Sequence, residues 1–337
     1  MTELEQTHNT TTPSTKPRRI QVVRYGKFKI MYRPGTAFEE TRLRLVKQGL
    51  LVHETPHFLF AVEHENQFII LVHRLKANEV DNNIGHYLMQ ELAPQELILT
   101  DKDFGSALIA IVISVMPDNP VEAWNLFSLN TLQRLREKLN HLTSTTDEKD
   151  FITPFAHIYH RLLELKVGKS LLDVGCACAF WPILAAEHAQ TDDERIVGVD
   201  SRQDAIAISN NLAAATSTTH LEFIQADLMA QEFMRLGMFD TVTAIALLEH
   251  LSVEEMPRAF EHLLGVTRHR LIISVPYEEQ ITLAYGHQQV FTREKLEQLG
   301  QWCIEYLAGR GHFWCEDVMG GLLVIEPLIT RSSEYKS

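Results

Sequence analysis

The sequence predicts an α/β protein in which a doubly wound parallel sheet fills the second half and a smaller α+β domain precedes it. After residue 170, short apolar strands alternate with helical segments, a pattern typical of a parallel sheet covered on both faces. These strands are predicted at 171–174, 196–199, 221–225, 239–245 and 270–275. Two further strand patterns, at 303–307 and 320–325, are separated by a Gly-Arg-Gly turn without a helix, which predicts a closing hairpin.

The N-terminal part has a different pattern, made of short runs rich in β-branched and aromatic residues. The runs predict strands at 20–25, 28–32, 58–62, 68–73 and 107–115, with a hairpin connection over 63–67. One helix interrupts them, because Thr36 and Glu39 have the spacing of a capping box and Gly49 is placed to end it. Residues 19–127 are therefore predicted to form an accessory domain.

Polar segments and one amphipathic helix set the other predicted limits. Residues 1–18 contain few apolar side chains and predict a disordered tail. Leucines recur at helical spacing after Ser128, so 128–150 is predicted as a connecting helix followed by a polar linker. The second domain is predicted over 151–328, opening with a helix from about Thr153, and 329–337 is predicted as a C-terminal tail.

The composition argues against several partners. Asp and Glu number 44 against 31 Lys and Arg, and the net charge of −13 disfavours a nucleic-acid substrate. The N-terminus lacks the order of a signal peptide, and no apolar run approaches the roughly 20 residues of a membrane span, so we expect a cytoplasmic protein without membrane contact. Four cysteines are too few for a disulfide framework and are predicted to be free thiols. His157 and His160 lie one helical turn apart without recognisable further ligands, so we assign no metal site from the sequence.

The turn after the first strand of the alternating half predicts a cofactor loop. Asp173, Gly175, Cys176 and Ala177 lie between a strand and a helix, where small residues let the backbone approach a ligand and helix N–H groups face it. The alternative is an ordinary strand-to-helix turn. Alanine, here and at Ala179, keeps the close approach but adopts positive φ less readily than glycine.

Two acidic residues end the next strands. Asp200 lies 27 residues beyond Asp173, where a carboxylate can accept hydrogen bonds from both hydroxyls of a ribose. Ser201, beside Asp200, is also a candidate cofactor-binding residue. The alternative for Asp200 is a helix cap, although Ser201 already has capping-box spacing to an acidic residue. Asp227 follows the third strand and is placed to accept a hydrogen bond from an adenine amino group beside Leu228; a solvated surface carboxylate is its alternative.

Together these segments resemble the class I S-adenosylmethionine-dependent methyltransferases, over about half the chain and in the family's order. The matching segments are 171–179, 197–200, 225–227, 239–240 and 247–250. The resemblance implies a seven-stranded, Rossmann-like sheet with a reversed last strand, and S-adenosyl-L-methionine as the cofactor. It also implies that the loop at 173–179 holds the methionine end, Asp200 the ribose and Asp227 the adenine. Ala177 and Ala179 stand where the family most often has glycine.

Two histidines are candidate general bases. Methyl transfer from a sulfonium needs aligned reactants, and an alcohol acceptor also needs a group that takes its proton. His250 and His287 follow the fourth and fifth strands of the alternating set, at the edge where such sheets bind ligands, and imidazole titrates near neutral pH. Glu249 is the third candidate catalytic residue. The alternative for His250 is a hydrogen-bonded histidine that orients Glu249 or the loop.

These residues predict O-methylation of a small molecule or a saccharide. An Asn-Pro-Pro-Tyr motif, which indicates planar amide or base nitrogens as acceptors, is absent from the sequence. The run 275–279, followed by 285–287, also resembles the mycofactocin oligosaccharide methyltransferases. Two alternatives are a nicotinamide-dependent oxidoreductase, which would share the loop and Asp200 but prefer Gly-x-Gly-x-x-Gly, and a cofactor-binding scaffold without catalysis. The oligomeric state is not predicted.

Overall fold

A computed structural model describes residues 21–63, 68–142, 150–191 and 194–328 of the 337-residue chain. The predicted N-terminal tail, the connection after Glu63, the linker over 143–149 and the C-terminal tail lie outside these residues. Within them, the chain forms two sheets with their own helices. No helix in the described ranges is both long and apolar enough to cross a bilayer.

The N-terminal part contains a five-stranded sheet in the order β1-β2-β5-β4-β3. Its strands are β1 (Val23–Tyr25), β2 (Phe28–Tyr32), β3 (His53–Glu54), β4 (Phe58–Glu63) and β5 (Phe68–His73). β2 pairs with β5 in parallel, whereas the other neighbouring strands are antiparallel. The strands predicted at 28–32, 58–62 and 68–73 are confirmed, and the run at 20–25 forms a strand over its last three residues.

Four helices accompany this sheet: α1 (Thr36–Lys47), α2 (Asn83–Tyr87), α3 (Asp101–Ser114) and α4 (Pro120–Asn140). The predicted helix α1 is confirmed, but Gly35 occupies its N-cap without a side-chain hydrogen bond, so the capping box is wrong. Gly49 follows α1 with a φ of +82°, as expected for the residue that ends a helix. α4 begins at Pro120, before the predicted start at Ser128. The Asn119 side chain caps it by accepting a hydrogen bond from the Glu122 N–H.

The strand predicted at 107–115 is wrong, because these residues belong almost entirely to α3. Thr100 caps this helix by accepting a hydrogen bond from the Asp103 N–H at 3.2 Å. Ala107, Ala110 and Ile111 are fully buried, so the helix packs into the core. A continuous apolar run fits a buried strand and a buried helix equally well, and the capping residue that decides between them lies seven residues upstream of the run.

The second half forms the seven-stranded sheet, in the order β11-β12-β10-β9-β6-β7-β8, and confirms the Rossmann-like α/β fold. Its strands are β6 (Ser170–Val174), β7 (Arg195–Asp200), β8 (Leu221–Gln225), β9 (Phe239–Ile245), β10 (Thr267–Val275), β11 (Gly311–Asp317) and β12 (Gly321–Pro327). The five strands β6 to β10 are parallel, and β12 runs antiparallel to β10. The first residues of the loops after β6, β7, β8 and β9 therefore meet at one edge of the sheet.

Five helices belong to this half: α5 (Ile152–Leu165), α6 (Phe180–Glu187), α7 (Gln203–Thr216), α8 (Met256–Gly265) and α9 (Arg293–Tyr306). The closing hairpin is confirmed, but it is formed by β11 and β12, and the strand predicted at 303–307 is wrong. Those residues end α9, where Leu296, Gly300 and Cys303 are buried at helical spacing. The short apolar run is the last turn of a buried helix face.

The two parts pack against each other along helices. α4 contacts α5 and α7, and α3 contacts the short helical turn Leu283–Tyr285 that follows β10. Ala284 of that turn lies in the same apolar core as Phe28 and Ile111 from the N-terminal part. The N-terminal part therefore lies against the segment that carries His287.

Candidate active site

The loop after β6 is strained at two alanines. Gly175, Ala177 and Ala179 have φ values of +77°, +45° and +59°, a left-handed region that favours glycine. A Cβ at Gly175 would lie 3.0 Å from Leu247, so this position also needs the missing side chain. Glycine adopts this conformation without strain, whereas the Cβ of alanine opposes it. The unfavourable positive φ that the sequence suggested for these two alanines is therefore present in the backbone. α6 nevertheless begins directly after the loop.

Asp200 fixes this loop to the end of β7. Its Oδ2 accepts a hydrogen bond from the Ala177 N–H at 3.0 Å, and its Oδ1 accepts one from the Arg202 N–H at 2.9 Å. Each carboxylate oxygen keeps a further lone pair for an incoming hydroxyl. Ser201 is exposed, and Arg202 is the N-cap of α7, so the predicted capping role of Ser201 is wrong. Asp200 itself accepts the N–H of that N-cap residue.

A cavity of about 240 Å³ lies beside the loop. It is lined by residues of the loop, of β9, of α5 and α6, and of the N-terminal part: Asn82, Thr131, Leu135, Ile152, Phe155, Tyr159, Asp173, Gly175, Cys176, Ala177, Cys178, Phe180, Trp181, Ile245 and Ala246. Four of the residues predicted to bind the cofactor are thus brought together. No sequence pattern indicated Asn82 and Thr131, because their approach to the loop depends on how the N-terminal part, with α4, packs against the second half of the chain.

Asp173 provides the one carboxylate among the residues that line this cavity. It is 4% exposed and accepts a hydrogen bond from the Thr243 hydroxyl at 2.8 Å. Burial raises the pKa of Asp173 to about 7, against the opposing effect of that hydrogen bond. A buried carboxylate with a single hydroxyl donor fits a cationic ligand group, and S-adenosylmethionine carries both an ammonium and a sulfonium. The residues present therefore fit the cofactor.

The remaining predicted cofactor residues lie at the same strand edge, outside the lining of this cavity. Asp227 is exposed at the end of β8, and its Oδ1 accepts the Met229 N–H at 2.8 Å. Leu228 is buried, and its carbonyl faces Nδ1 of His262 at 2.6 Å. Cys176, in contrast, lines the cavity; it is buried, and burial raises the pKa of its thiol, so it offers a small apolar surface rather than a reactive thiolate.

The three candidate catalytic residues form one cluster. Glu249, His250 and His287 each offer a potential ligand or proton-accepting atom, and these atoms lie within 4.8 Å of one another. The two imidazole rings are 5.0 Å apart and nearly perpendicular. A backbone hydrogen bond joins the segment of Glu249 and His250 to that of His287, since the Gln288 N–H donates to the Glu249 carbonyl at 2.8 Å. The side chain of Gln289 also donates to the Leu248 and Leu251 carbonyls.

Each histidine uses Nδ1 in a bond to the protein. Nδ1 of His287 lies 2.7 Å from a carboxylate oxygen of Glu278, and Nδ1 of His250 lies 3.3 Å from the Gly286 carbonyl. Because both partners are acceptors, each Nδ1 carries the proton and each Nε2 has a free lone pair. Burial and the neighbouring His287 lower the pKa of His250, which favours its neutral form.

Glu249 is the least satisfied group of the cluster. It is 1% exposed, and neither carboxylate oxygen has a hydrogen-bond partner among the described residues. Burial is the main reason that the pKa of Glu249 is raised to about 8. Ala246, three residues earlier, has a φ of +48°, so the backbone that leads into the cluster is also strained.

Aromatic residues from both parts of the chain surround the cluster. Tyr285 lies 5.6 Å from the ring of His287, and Phe104 and Phe151 lie 5.3 and 5.9 Å from the ring of Tyr285. Phe104 belongs to α3 and Phe151 precedes α5, so the sequence could not place them beside Tyr285. An aromatic surface beside a few convergent polar groups is typical of a small-molecule site.

Comparison with known proteins identifies the central part of this domain. Residues 171–270 match the family described as "Methyltransferase domain". No curated protein matches the chain.

Solved structures with a similar fold include three methyltransferases. A SAM-dependent methyltransferase from Aquifex aeolicus is 12% identical, over 58% of this chain and 97% of that chain, with a TM-score of 0.38. Magnesium protoporphyrin IX methyltransferase from Synechocystis PCC 6803, solved with bound SAH, is 13% identical over 58% and 92%, with a TM-score of 0.41. The small RNA methyltransferase HEN1 is 16% identical over 60% and 26%, with a TM-score of 0.43. These values are too low to transfer an acceptor to this chain.

The family match agrees with the order of the seven-stranded sheet and with the loop after β6. The expected class I fold, with its reversed last strand, is confirmed. Residues 171–270 therefore belong to a methyltransferase domain, whose cofactor is S-adenosylmethionine.

Proposed function

We propose that this enzyme methylates an oxygen atom of a small molecule or a saccharide, with a histidine as the general base. The observation that carries the proposal is the pair His250 and His287, which follow β9 and β10 and bond to the protein through Nδ1, so that Nε2 of each can face a ligand. Ile245 and Ala246 line the cofactor cavity, and Glu249 follows three residues later. The acceptor and the methyl donor would therefore meet at one strand end.

The cofactor, when bound, supplies an electrophilic methyl group on a sulfonium. We infer that Asp173 faces its cationic methionine end, and that the backbone of 175–177 follows its contour. Asp200 would accept hydrogen bonds from the ribose hydroxyls with its remaining lone pairs. Asp227 would accept one from the adenine amino group, beside the apolar surface of Leu228. These assignments keep the methyl donor at the edge where the histidines lie.

With the cofactor bound, the acceptor oxygen would take the methyl group, and the electron pair of the C–S bond would remain on sulfur. The hydroxyl proton of the acceptor goes to Nε2 of His287, whose Nδ1–H already points to Glu278 at 2.7 Å. The carboxylate of Glu278 then stabilises the imidazolium that forms. Such general-base assistance contributes typically about 10²–10⁴-fold to a rate.

The N-terminal part would shape the acceptor site. Phe104 from the N-terminal part, together with Phe151 before α5, contacts Tyr285 next to His287, which gives an aromatic wall beside the polar cluster. This arrangement suits a compact acceptor with both apolar and hydroxyl faces. The net charge of −13 supports the expectation that the acceptor is not a nucleic acid.

The proposal is tested by following S-adenosylhomocysteine formation with a panel of hydroxylated small molecules and saccharides, alongside amines and an RNA oligonucleotide. We expect turnover with hydroxyl acceptors alone. Turnover confined to amines or RNA would contradict the proposal. Calorimetry with S-adenosylmethionine, S-adenosylhomocysteine and NADH completes the test, because tight binding of the first two without turnover on any acceptor would support the scaffold alternative.

A further inference from the structure

One buried group is not explained by methyl transfer with a histidine base. The carboxylate of Glu249 is 1% exposed and has no hydrogen-bond partner among the described residues. An unpaired buried carboxylate is costly, and proteins retain one where a cation or a donor compensates it. The protein groups nearest to it in the cluster are the imidazoles of His250 and His287.

We propose that Glu249, His250 and His287 bind one divalent transition-metal ion, with further coordination positions open to the acceptor. Their potential ligand atoms lie within 4.8 Å of one another. Ligand atoms at about 2.0–2.2 Å from one ion are at most about 4.4 Å apart, so small side-chain rotations bring all three to an ion.

The surroundings of the histidines are those of metal ligands. Nδ1 of His287 donates to the Glu278 carboxylate and Nδ1 of His250 to the Gly286 carbonyl, which fixes both tautomers with Nε2 available. Histidines that bind metals almost always donate their other ring N–H to a carboxylate or a carbonyl. These hydrogen bonds fix the orientation of both imidazole rings, and a backbone hydrogen bond from Gln288 to Glu249 joins the segments that carry them.

The ligand set indicates the class of ion. Two imidazoles and one carboxylate suit manganese, iron, cobalt or zinc, whereas magnesium and calcium prefer oxygen ligands. Two carboxylates lie beside the cluster, since Glu278 accepts the Nδ1–H of His287 and the Asp101 side chain packs against Gly286. A negative surrounding favours a cation over an anionic ligand.

This inference rests on the proposed O-methyl transfer and changes one step of it. An acceptor hydroxyl bound to the ion has a lowered pKa, so its proton leaves to water rather than to His287. The resulting oxygen anion attacks the methyl carbon, and the C–S electron pair remains on sulfur, as before. The histidines then serve as ligands.

Metal binding is measured without any acceptor, so its outcome is independent of the proposed activity. The full-length protein is treated with EDTA, desalted and titrated with Co²⁺, whose visible absorption reports coordination by nitrogen ligands. We expect one saturable site per chain. Loss of a ligand in Glu249→Gln or His287→Ala should weaken Co²⁺ binding at least about 100-fold, since even partners behind the ligands matter 10–100-fold. The exposed His160, which lies outside the cluster, gives the matched control His160→Ala, which should bind Co²⁺ as the wild type does.

A wild-type protein without a saturable Co²⁺ site overturns the inference, as does unchanged affinity in both ligand variants. Far-UV circular dichroism checks that each variant is folded, and Glu278→Ala gives a second route if a ligand variant does not fold. That variant should weaken Co²⁺ binding about 10–100-fold, because it removes only the partner of His287. If turnover is found, full activity after EDTA treatment would show that the histidine base acts without an ion, and would overturn the role in catalysis.

Discussion

The two sides of the active-site edge differ in how far the protein satisfies its own polar groups. On the cofactor side, both oxygens of Asp200 accept backbone N–H groups, and Asp173 accepts the Thr243 hydroxyl. On the histidine side, Glu249 has no partner among the described residues, and each histidine has a free Nε2. Folding alone gives the carboxylates on the cofactor side hydrogen-bond donors, whereas polar groups on the histidine side remain available to a ligand. Substitutions should therefore affect turnover most on the histidine side and cofactor affinity or stability on the other.

The largest effect is expected from His287→Ala. Loss of its imidazole should lower kcat about 10²–10⁴-fold, because it removes the proposed proton acceptor together with the Glu278 partner that stabilises its charged form. The dissociation constant of S-adenosylmethionine should change less than about threefold, since His287 is not among the residues that line the cofactor cavity. Steady-state kinetics with an acceptor found in the panel, together with calorimetry, measure the two quantities. His160→Ala is the matched control, and a large loss of cofactor affinity in His287→Ala would break the division between the two sides.

A smaller effect is expected on the cofactor side. Asp173→Asn keeps the shape and a hydrogen-bonding oxygen but removes the charge that faces the cavity. A hydrogen bond to a charged group contributes about 1.5–3 kcal/mol, so the affinity for S-adenosylmethionine should fall about 10–100-fold. Calorimetry measures it. The exposed Asp227 gives the comparison variant Asp227→Asn, which should lose less affinity because solvent screens its charge. Equal losses would contradict the special role of the buried carboxylate.

The pH dependence of binding tests the same carboxylate. Because burial raises the pKa of Asp173 from 3.8 to about 7, it is largely protonated at pH 5.5 in the folded protein. Affinity for the cationic cofactor should therefore rise about tenfold between pH 5.5 and 7.5, and Asp173→Asn should remove this rise. The stability effect has the opposite sign. The contribution of Asp173 to folding is fully present below about pH 4 and is lost as the pH rises through about 7. Calorimetry and urea denaturation across this range measure the two trends.

The smallest effect concerns the strained loop. Ala177 is exposed with a φ of +45°, so Ala177→Gly should raise the free energy of unfolding by about 0.5–1 kcal/mol. Ala179 has a similar φ but is fully buried. Ala179→Gly also loses a buried methyl group, worth about 0.8 kcal/mol, and should be close to neutral. Urea denaturation compares the pair, and a destabilised Ala177→Gly would show that the loop does not relax as described.

The sequence-based predictions of secondary structure were accurate for the parallel strands and wrong for two apolar runs. The strands of the parallel sheet were predicted to within a few residues, because each is a short apolar run bounded by polar turns. The runs at 107–115 and 303–307 were wrong, since an apolar segment without clear periodicity fits a helix and a strand alike. The two apolar runs belong to helices that begin upstream, after the N-cap residues Thr100 and Thr292. These two capping residues were the signals that sequence reasoning missed.

The sequence by itself determined the α/β class, the cofactor loop with Asp173 and Asp200, and the two histidines as candidates. These features are local, since each depends on a few consecutive residues and on the rule that parallel strands end at one edge. Only the tertiary structure decided that His250 and His287 meet, that Glu249 is buried beside them, and that Phe104 lies near. The His250–His287 and Phe104–Tyr285 contacts join residues 37 and 181 positions apart, and their geometry depends on how whole helices and strands pack, which no local pattern specifies. The residues of the loop and the candidate histidines can thus be identified from the sequence, but only the fold brings them together in one site.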